Sequence, residues 1–101
     1  MSARPEVSAR AEADLAAARG WYAAIRPGLD DSLMLCVEET LDRIAENPRA
    51  FRAVGPDVRY ARVRRFPYGV LYRVRDGRVR VEGVFHARRD PLRLEDRAGR
   101  G

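Results

Sequence analysis

The sequence predicts an α+β fold, in which an N-terminal helical hairpin packs on one face of a curled antiparallel sheet of three to four strands. Two observations predict it. The first half of the chain spaces its apolar residues as amphipathic helices do, and the second half alternates as strands do around an Asp-Gly turn. At 101 residues the chain is long enough for one core and too short for two. We therefore expect a single domain over residues 1–94, followed by a polar tail over residues 95–101.

The first predicted helix begins after Ser8, a favoured N-cap residue, and runs to about Ile25. Arg26-Pro27-Gly28 then breaks it. The residues before Ser8 form either a disordered lead or a short edge strand, and the pattern is too brief to decide. Steps of four and three residues place the apolar positions on one helical face: Ala11, Leu15, Ala18, Tyr22 and Ile25.

The second predicted helix begins at about Asp30 or Asp31, whose carboxylates suit the positive end of the helix dipole. It ends at Asn47, because the residue before a proline avoids the α conformation. Cys36 is the single cysteine, so no intramolecular disulfide can form, and we expect it to be a small buried hydrophobic residue. The expected core stripe is Leu33, Met34, Val37, Thr40, Leu41 and Ile44.

The predicted strands follow a loop over residues 48–57 and cover about Val58–Phe66, Val70–Arg75 and Arg78–His86. Asp76-Gly77 tolerates the positive φ values of a two-residue hairpin turn, and such a turn fixes the register of the last two strands. The predicted pairs are Val74 with Val79, Arg73 with Arg80, Tyr72 with Val81, and Leu71 with Glu82.

This register predicts one apolar face and one basic face on the hairpin. Like charges directly opposite each other destabilise a strand pair, so the basic face is expected to have an anionic partner. The alternative is a solvated, solubilising surface on which Glu82 bridges diagonally to Arg73. The apolar face comprises Val70, Tyr72, Val74, Val79, Val81 and Phe85, and the basic face comprises Arg73, Arg75, Arg78 and Arg80.

The charge of the chain is unevenly distributed. All 20 basic residues are arginine; residues 1–56 hold 7 arginines and 9 acidic residues, net −2, whereas residues 57–101 hold 13 arginines and 6 acidic residues, net +7. A basic half of this kind indicates nucleic acid or an acidic protein as partner. No apolar run reaches membrane-spanning length and the N-terminus lacks a signal-peptide core, so we expect a cytoplasmic protein without membrane contact. We expect no metal and no cofactor.

Several motifs resemble the ParE/RelE superfamily, the toxins of bacterial type II toxin–antitoxin modules. They are NPRAF after the second helix, the pair RRFPYGVLYRV and RVRVEGVFHARRDP, and, as in the ParE branch, Tyr72-Arg73 with a final run from Val84 to Pro91. The resemblance implies a toxin that inhibits or poisons DNA gyrase without catalysis. It also implies a cognate antitoxin, ParD-like or another small DNA-binding protein, which would fold on the toxin and form a hetero-oligomer with it.

Two alternatives stay open beside gyrase inhibition. The RelE branch resembles ribosome-dependent mRNA endoribonucleases, but Gly69 stands where RelE-like chains carry an arginine. Ala87 and Arg93 stand at the approximate positions of a further arginine and a tyrosine in those chains. The other alternative is a nucleic-acid-binding or interaction module without toxicity. His86 and Arg89 are weak candidates for catalysis, and a structural histidine bonded to backbone or to Asp90 is the plainer interpretation of His86.

The candidate binding residues follow from charge, aromatic character and this resemblance. Trp21 is expected at the edge of an apolar groove, and Tyr60, Tyr68 and Tyr72 are expected to pack in the sheet rather than to stack on bases. Asp90 is expected to cap a short helix begun by Pro91. Expected for target binding are Arg73, Arg80, Arg88 and Arg89, and for antitoxin binding Trp21, Tyr22, Arg65, Tyr72 and Arg73.

Overall fold

The computed structural model describes residues 4–88, in which two helices pack on one face of a five-stranded mixed sheet. The elements are β1 (Glu6–Val7), α1 (Ala9–Ile25), α2 (Leu29–Glu46), a 3₁₀ turn (Pro48–Ala50), β2 (Arg52–Gly55), β3 (Val58–Arg62), β4 (Tyr68–Arg75) and β5 (Arg78–His86). The strands lie in the order β1-β5-β4-β3-β2. The predicted fold class is confirmed, with one strand more than expected. The sequence left a short edge strand before Ser8 open, and β1 is that strand, parallel to β5, whereas β2 lies where a loop was predicted.

Both helices begin and end where local signals predict. The Ser8 hydroxyl accepts a hydrogen bond from the Ala11 backbone N–H at 3.1 Å, which satisfies one of the free donors of the first turn of α1. Gly28 has a φ of +89°, a left-handed conformation that glycine adopts without strain, and it directly precedes α2. Asn47 caps the other end of α2, as its position before a proline predicts.

The predicted apolar faces of α1 and α2 pack on the sheet, except for a few residues at their edges. Ala11 and Ala18 are buried, and Cys36 is buried as predicted. Ile25 was expected in the core but is 58 % exposed. Tyr22, one turn earlier, still packs against the core, so the stripe of α1 extends beyond the surface available to cover it. Met34 is only partly buried at the edge of the stripe on α2.

The segment predicted as a loop contains a 3₁₀ turn and a strand, so that part of the prediction was wrong. β2 pairs antiparallel with β3, and Arg52 lies opposite Tyr60. The turn before β2 is held by side chains from the sheet. The Tyr72 hydroxyl donates to the Pro48 carbonyl at 2.5 Å, and Arg59 Nη1 donates to the Phe51 carbonyl at 2.6 Å. These contacts join residues that are distant in sequence, so no local pattern indicates them.

The hairpin of β4 and β5 follows the predicted register up to a bulge. Arg73 lies opposite Arg80 as expected, but Leu71 lies opposite Gly83 and not opposite Glu82. One extra residue in β5 at this point reverses the alternation of the residues that follow it.

The bulge changes which residues face the helices. Val84 joins the main core between sheet and helices, whereas Phe85 lies on the opposite face, packed with Val58 and Leu71. The expectation that Phe85 shares a face with the valines and Tyr72 was therefore wrong. The sheet has a second, smaller apolar cluster on its outer face, by which we mean the face turned away from α1 and α2.

The predicted strand that corresponds to β3 was too long at its end, and the predicted strand that corresponds to β4 was too short at its start. β3 ends at Arg62 instead of Phe66, and β4 begins at Tyr68 instead of Val70. The connection between them is a turn in which Arg65 has a φ of +72°. Phe66 leaves the sheet and packs edge-on against Tyr22 of α1, with ring centroids 5.2 Å apart.

Candidate functional site

The outer face of the sheet carries most of the strand arginines. Residues directly opposite each other on neighbouring strands share a face, as do residues two apart on one strand. From this register the described strands place six arginines and one glutamate on the outer face. They are Arg52, Arg62, Arg73, Arg75, Arg78, Arg80 and Glu82.

Arg73 is structural in this arrangement. It is 7 % exposed, its Nη1 donates to the Pro56 carbonyl at 3.2 Å, and its Nε lies 3.7 Å from Glu82 Oε2. The diagonal contact between Arg73 and Glu82 is therefore present as predicted. Arg80 has its own carboxylate, with its Nε 3.8 Å from Glu6 Oε1. Acidic groups within the chain thus offset the repulsion between Arg73 and Arg80, and an external anion is not required for it.

The tip of the hairpin carries three of the five exposed arginines of the outer face. Arg75, Arg78 and Arg80 are exposed around the Asp76-Gly77 turn. Arg75 forms a loose ion pair with Asp57 at 3.8 Å, and both side chains are more than half exposed, so this pair contributes little to stability. Of the residues expected to bind the target, Arg80 lies at this tip, whereas Arg73 is buried below it.

His86 ends β5 against the main core. Its ring contacts Tyr68 edge-on with centroids 5.2 Å apart, and its Nδ1 accepts a hydrogen bond from the Arg88 backbone N–H at 3.1 Å. This geometry corresponds to the structural interpretation of His86, with backbone as its partner. Arg88 is exposed in the following turn. Arg89, Asp90 and Pro91 lie outside the described residues, as does the expected short helix.

A groove of about 320 Å³ runs between α1, α2 and the segment that leads into β1. Leu15, Val37 and Leu41 contribute apolar lining, and the ion pair between Arg4 and Glu38 lies at its edge. Trp21 is not part of the lining; it lies further along α1 and is 53 % exposed.

The residues expected to bind an antitoxin are not all on the surface. Tyr72 has no exposed surface, and Tyr22 is partly buried beneath the Phe66 ring. Trp21 and Arg65 are exposed, on α1 and on the turn after β3. Of the five residues expected to bind an antitoxin, only Trp21 and Arg65 are therefore on the surface. Tyr22 and Tyr72 pack in the core, and Arg73 is buried in the sheet.

Two tyrosine hydroxyls have perturbed acidity. Burial raises the pKa of Tyr72 to about 12, with a small opposing effect from Arg59. Burial also raises the pKa of Tyr60, against the positive charges of Arg62 and Arg52. Both phenols therefore stay protonated near neutral pH.

Sequence reasoning did not anticipate the contact between Tyr60 and Gly69. The Tyr60 ring lies diagonally across the β4 backbone, so close that a Cβ added at Gly69 would lie 2.5 Å from Tyr60 Cε1 and nearer still to Cζ and the hydroxyl oxygen. A glycine beside an aromatic residue was the available signal, but only the register of β3 and β4 shows that the two meet.

Two helices packed on a five-stranded mixed sheet, with a basic hairpin, are the arrangement that the sequence resemblance to the ParE/RelE class of toxins implies. The comparisons narrow this class. A family profile described as "ParE toxin of type II toxin-antitoxin system, parDE" matches residues 6–91. The chain belongs to this family of toxins.

A solved structure supports the fold independently. The "Chromosomal ParDE TA system from P. aeruginosa" contains a chain that superposes with a TM-score of 0.73 at 21 % sequence identity, over 82 % of this chain and 94 % of that chain. No curated protein sequence matches the chain. Over residues 4–88, neither helix has the length and apolar character needed to cross a membrane.

Proposed function

We propose that this toxin inhibits DNA gyrase by binding, without catalysing a reaction, and that a cognate antitoxin neutralises it in the cytoplasm. The membership of the family and the accessible arginines of the hairpin tip support this function. The proposal that the toxin acts without catalysis rests on one observation, the packing of Tyr60 over Gly69.

An mRNA endoribonuclease of the RelE kind needs cations that stabilise a crowded phosphate in the transition state. RelE-like chains carry an arginine at the position of Gly69. Here the ring of Tyr60 fills the space that any side chain at position 69 would enter. His86 packs on Tyr68 and accepts a backbone hydrogen bond, which argues against a role in proton transfer. The geometry therefore favours an inhibitor over a ribonuclease.

The hairpin tip is the proposed contact with gyrase. Arg78 and Arg80 project from the outer face of β5, and Arg88 follows at the other end of the same strand. Exposed guanidinium groups form bidentate contacts with carboxylates or phosphates on a partner. Arg89 is proposed for the same surface on its sequence position alone.

The helical side is the proposed contact with the antitoxin. Three large hydrophobic residues are exposed there: Trp21 at 53 %, Ile25 at 58 % and Leu35 at 73 %. Trp21 and Ile25 are four residues apart on α1 and share a face. A disordered antitoxin segment that folds on binding would cover such residues, and complex formation would then raise the melting temperature of the toxin.

The test is gyrase supercoiling of relaxed plasmid with the full-length toxin, alone and with antitoxin, beside a ribosome-programmed mRNA cleavage assay. We expect loss of supercoiling that antitoxin reverses, with the mRNA intact. Arg78→Gln with Arg80→Gln should weaken inhibition about tenfold or more, whereas the matched control Arg10→Gln, an exposed arginine on α1, should not. Cleaved mRNA with normal supercoiling would refute the proposal.

A separate variant tests the antitoxin surface. Trp21→Ala should weaken antitoxin binding by 2 kcal/mol or more, about 30-fold, if Trp21 is a buried anchor of the complex. Inhibition of gyrase by the free variant should be unchanged, because Trp21 lies on α1 and not on the outer face. Unchanged antitoxin affinity would place the antitoxin elsewhere.

A further inference from the structure

Tyr60, Arg52 and Arg62 form a cluster at one corner of the outer face, remote along the strands from the hairpin tip. Arg52 lies directly opposite Tyr60 on β2, and Arg62 lies two residues further along β3, so all three side chains emerge on the same face. Tyr60 lies directly opposite Leu71 on β4. Its ring also reaches diagonally to Gly69, the residue opposite Arg62.

Gly69 gives this cluster its shape. Because glycine has no side chain, the outer end of the Tyr60 ring lies close to the backbone of β4 at Gly69. The ring is half-buried, so part of its surface remains open to solvent. Next to it, Leu71 and Phe85 are fully buried and provide a rigid floor. An aromatic ring held in this way on a sheet is suited to stack on a planar group.

The two arginines provide charge that the described chain does not neutralise. Arg52 and Arg62 are both exposed, and over residues 4–88 neither guanidinium forms an ion pair with a carboxylate. In contrast, Arg73, Arg75 and Arg80 on the same face each have an acidic neighbour. Both charges lie close enough to the Tyr60 phenol to lower its pKa, against the larger effect of burial. The cluster therefore has an electrostatic attraction for anions.

We propose that this cluster binds single-stranded nucleic acid, with one base stacked on Tyr60 and the neighbouring phosphates held by Arg52 and Arg62. A stacking ring with flanking guanidinium groups is the chemistry by which sheet surfaces hold unpaired bases without reading sequence. The tyrosine hydroxyl stays neutral near pH 7 and does not repel the phosphates. This cluster lies at the opposite end of the outer face from Arg78 and Arg80, so the variant of those two arginines tests the gyrase contact without altering the cluster.

The test is fluorescence anisotropy of labelled dT12 and U12 with the full-length toxin, over a series of salt concentrations. Tyr60→Leu should weaken binding at least fivefold, and Tyr60→Phe, which keeps the ring over Gly69, should bind within twofold of the natural protein. Arg52→Gln with Arg62→Gln should reduce the slope of log affinity against log salt by about 1.4, because each phosphate contact contributes about 0.7 for single strands. The matched control Arg10→Gln, which removes an exposed arginine from α1, should leave the slope unchanged.

The outcomes separate the ligand sources and the alternatives. Because dT12 and U12 differ in the thymine methyl group as well as in the sugar, labelled dU12 is compared with U12. Stronger binding of dU12 identifies DNA, stronger binding of U12 identifies RNA, and equal binding means that the 2′-hydroxyl is not read; each supports the proposal if it depends on Tyr60. Because Tyr60→Leu also removes packing, its fold is checked by circular dichroism, and the paired arginine variant tests the site without altering the core.

Binding that is unaffected by either change overturns the proposal, as does an equal loss in Arg10→Gln. An acidic peptide that displaces dT12 and is insensitive to Tyr60→Leu would assign the cluster to a protein partner instead. Loss of gyrase inhibition is measured separately and has no bearing on this result.

Discussion

The contact between Tyr60 and Gly69 makes a sharp prediction about stability. In Gly69→Ala, the new Cβ would lie 2.5 Å from Tyr60 Cε1, whereas ordinary van der Waals contact begins at 3.4 Å. The ring therefore has to move by at least 0.9 Å, the difference between these two distances. β4 is paired on both sides, by β3 and by β5, so its backbone has little freedom to move and the ring is displaced instead.

The expected cost is that of overpacking. Extra methyl groups in a well-packed site destabilise by about 1–3 kcal/mol, and we expect the lower end of this range because the displaced atoms are the outer end of a partly exposed side chain. For a domain of this size each kcal/mol lowers the melting temperature by about 4–8 °C. Thermal and urea unfolding of Gly69→Ala, followed by circular dichroism, would measure the loss directly.

A double-mutant cycle isolates the contact. In a Tyr60→Ala background the ring is absent, and alanine is favoured over glycine within a strand, so Gly69→Ala should there be neutral or slightly stabilising. The coupling between the two positions should therefore reach about 1 kcal/mol or more. If Gly69→Ala has the same cost in both backgrounds, the ring does not occupy the space above the glycine. The contact between Tyr60 and Gly69 would then not support an inhibitor over a ribonuclease.

Two other contacts give predictions of the same kind. Asp14 of α1 accepts a hydrogen bond from the Val84 backbone N–H at 3.0 Å, just past the bulge. Asp14→Ala should lower the free energy of unfolding in urea by about 1–3 kcal/mol, and Asp14→Asn, which keeps an acceptor, should lower it by less. Equal losses would mean that the amide oxygen of asparagine does not replace the carboxylate, and no measurable loss in Asp14→Ala would mean that the hydrogen bond contributes nothing. Tyr72→Phe removes the hydrogen bond to Pro48 and should cost about 0.5–1.5 kcal/mol. Because the pKa of Tyr72 is raised from 10.0 to about 12 in the folded state, the contribution of this group to stability should be constant below pH 10 and fall between pH 10 and 12, where the unfolded chain ionises first. Tyr72→Phe should reduce this alkaline loss, as measured by unfolding at fixed pH values; an identical pH profile would contradict the assignment.

The parts of the fold that sequence predicted correctly depend on neighbouring residues. Ser8 caps α1 through Ala11, three residues away, and Asn47 ends α2 because Pro48 follows it. The Asp-Gly turn likewise set the hairpin register over its first pairs. Signals of this range are present in the chain before any tertiary contact forms.

The errors concern contacts between distant residues. The bulge near Glu82 sends Phe85 to the outer face. Gly83 is a residue type that often marks a bulge, but it does not by itself determine that an extra residue is inserted there. The bulge coincides with two interactions that only the fold supplies, the ion pair of Glu82 with Arg73 and the bond from Val84 to Asp14. The strand β2 was missed for a similar reason, since its pairing partner rather than its own composition makes it a strand.

The candidate site shows the same division. Charge asymmetry and the hairpin motif identified the basic half and its arginines from sequence, since composition and alternation require no coordinates. Sequence also indicated the class of toxin through its final strands. It did not separate the arginines by role. Arg73 and Arg80 are equivalent in the alternating pattern, yet one is buried on a backbone carbonyl and the other is exposed.

The sequence by itself determined the two helices, the hairpin turn, the basic half and the toxin family, because each follows from local spacing, composition or a motif. Only the tertiary structure decided which arginines are accessible, that Phe85 belongs to a second apolar cluster, and that Tyr60 lies on Gly69. These features depend on strand register and on one bulge, and a shift of a single residue moves a side chain to the opposite face of a sheet.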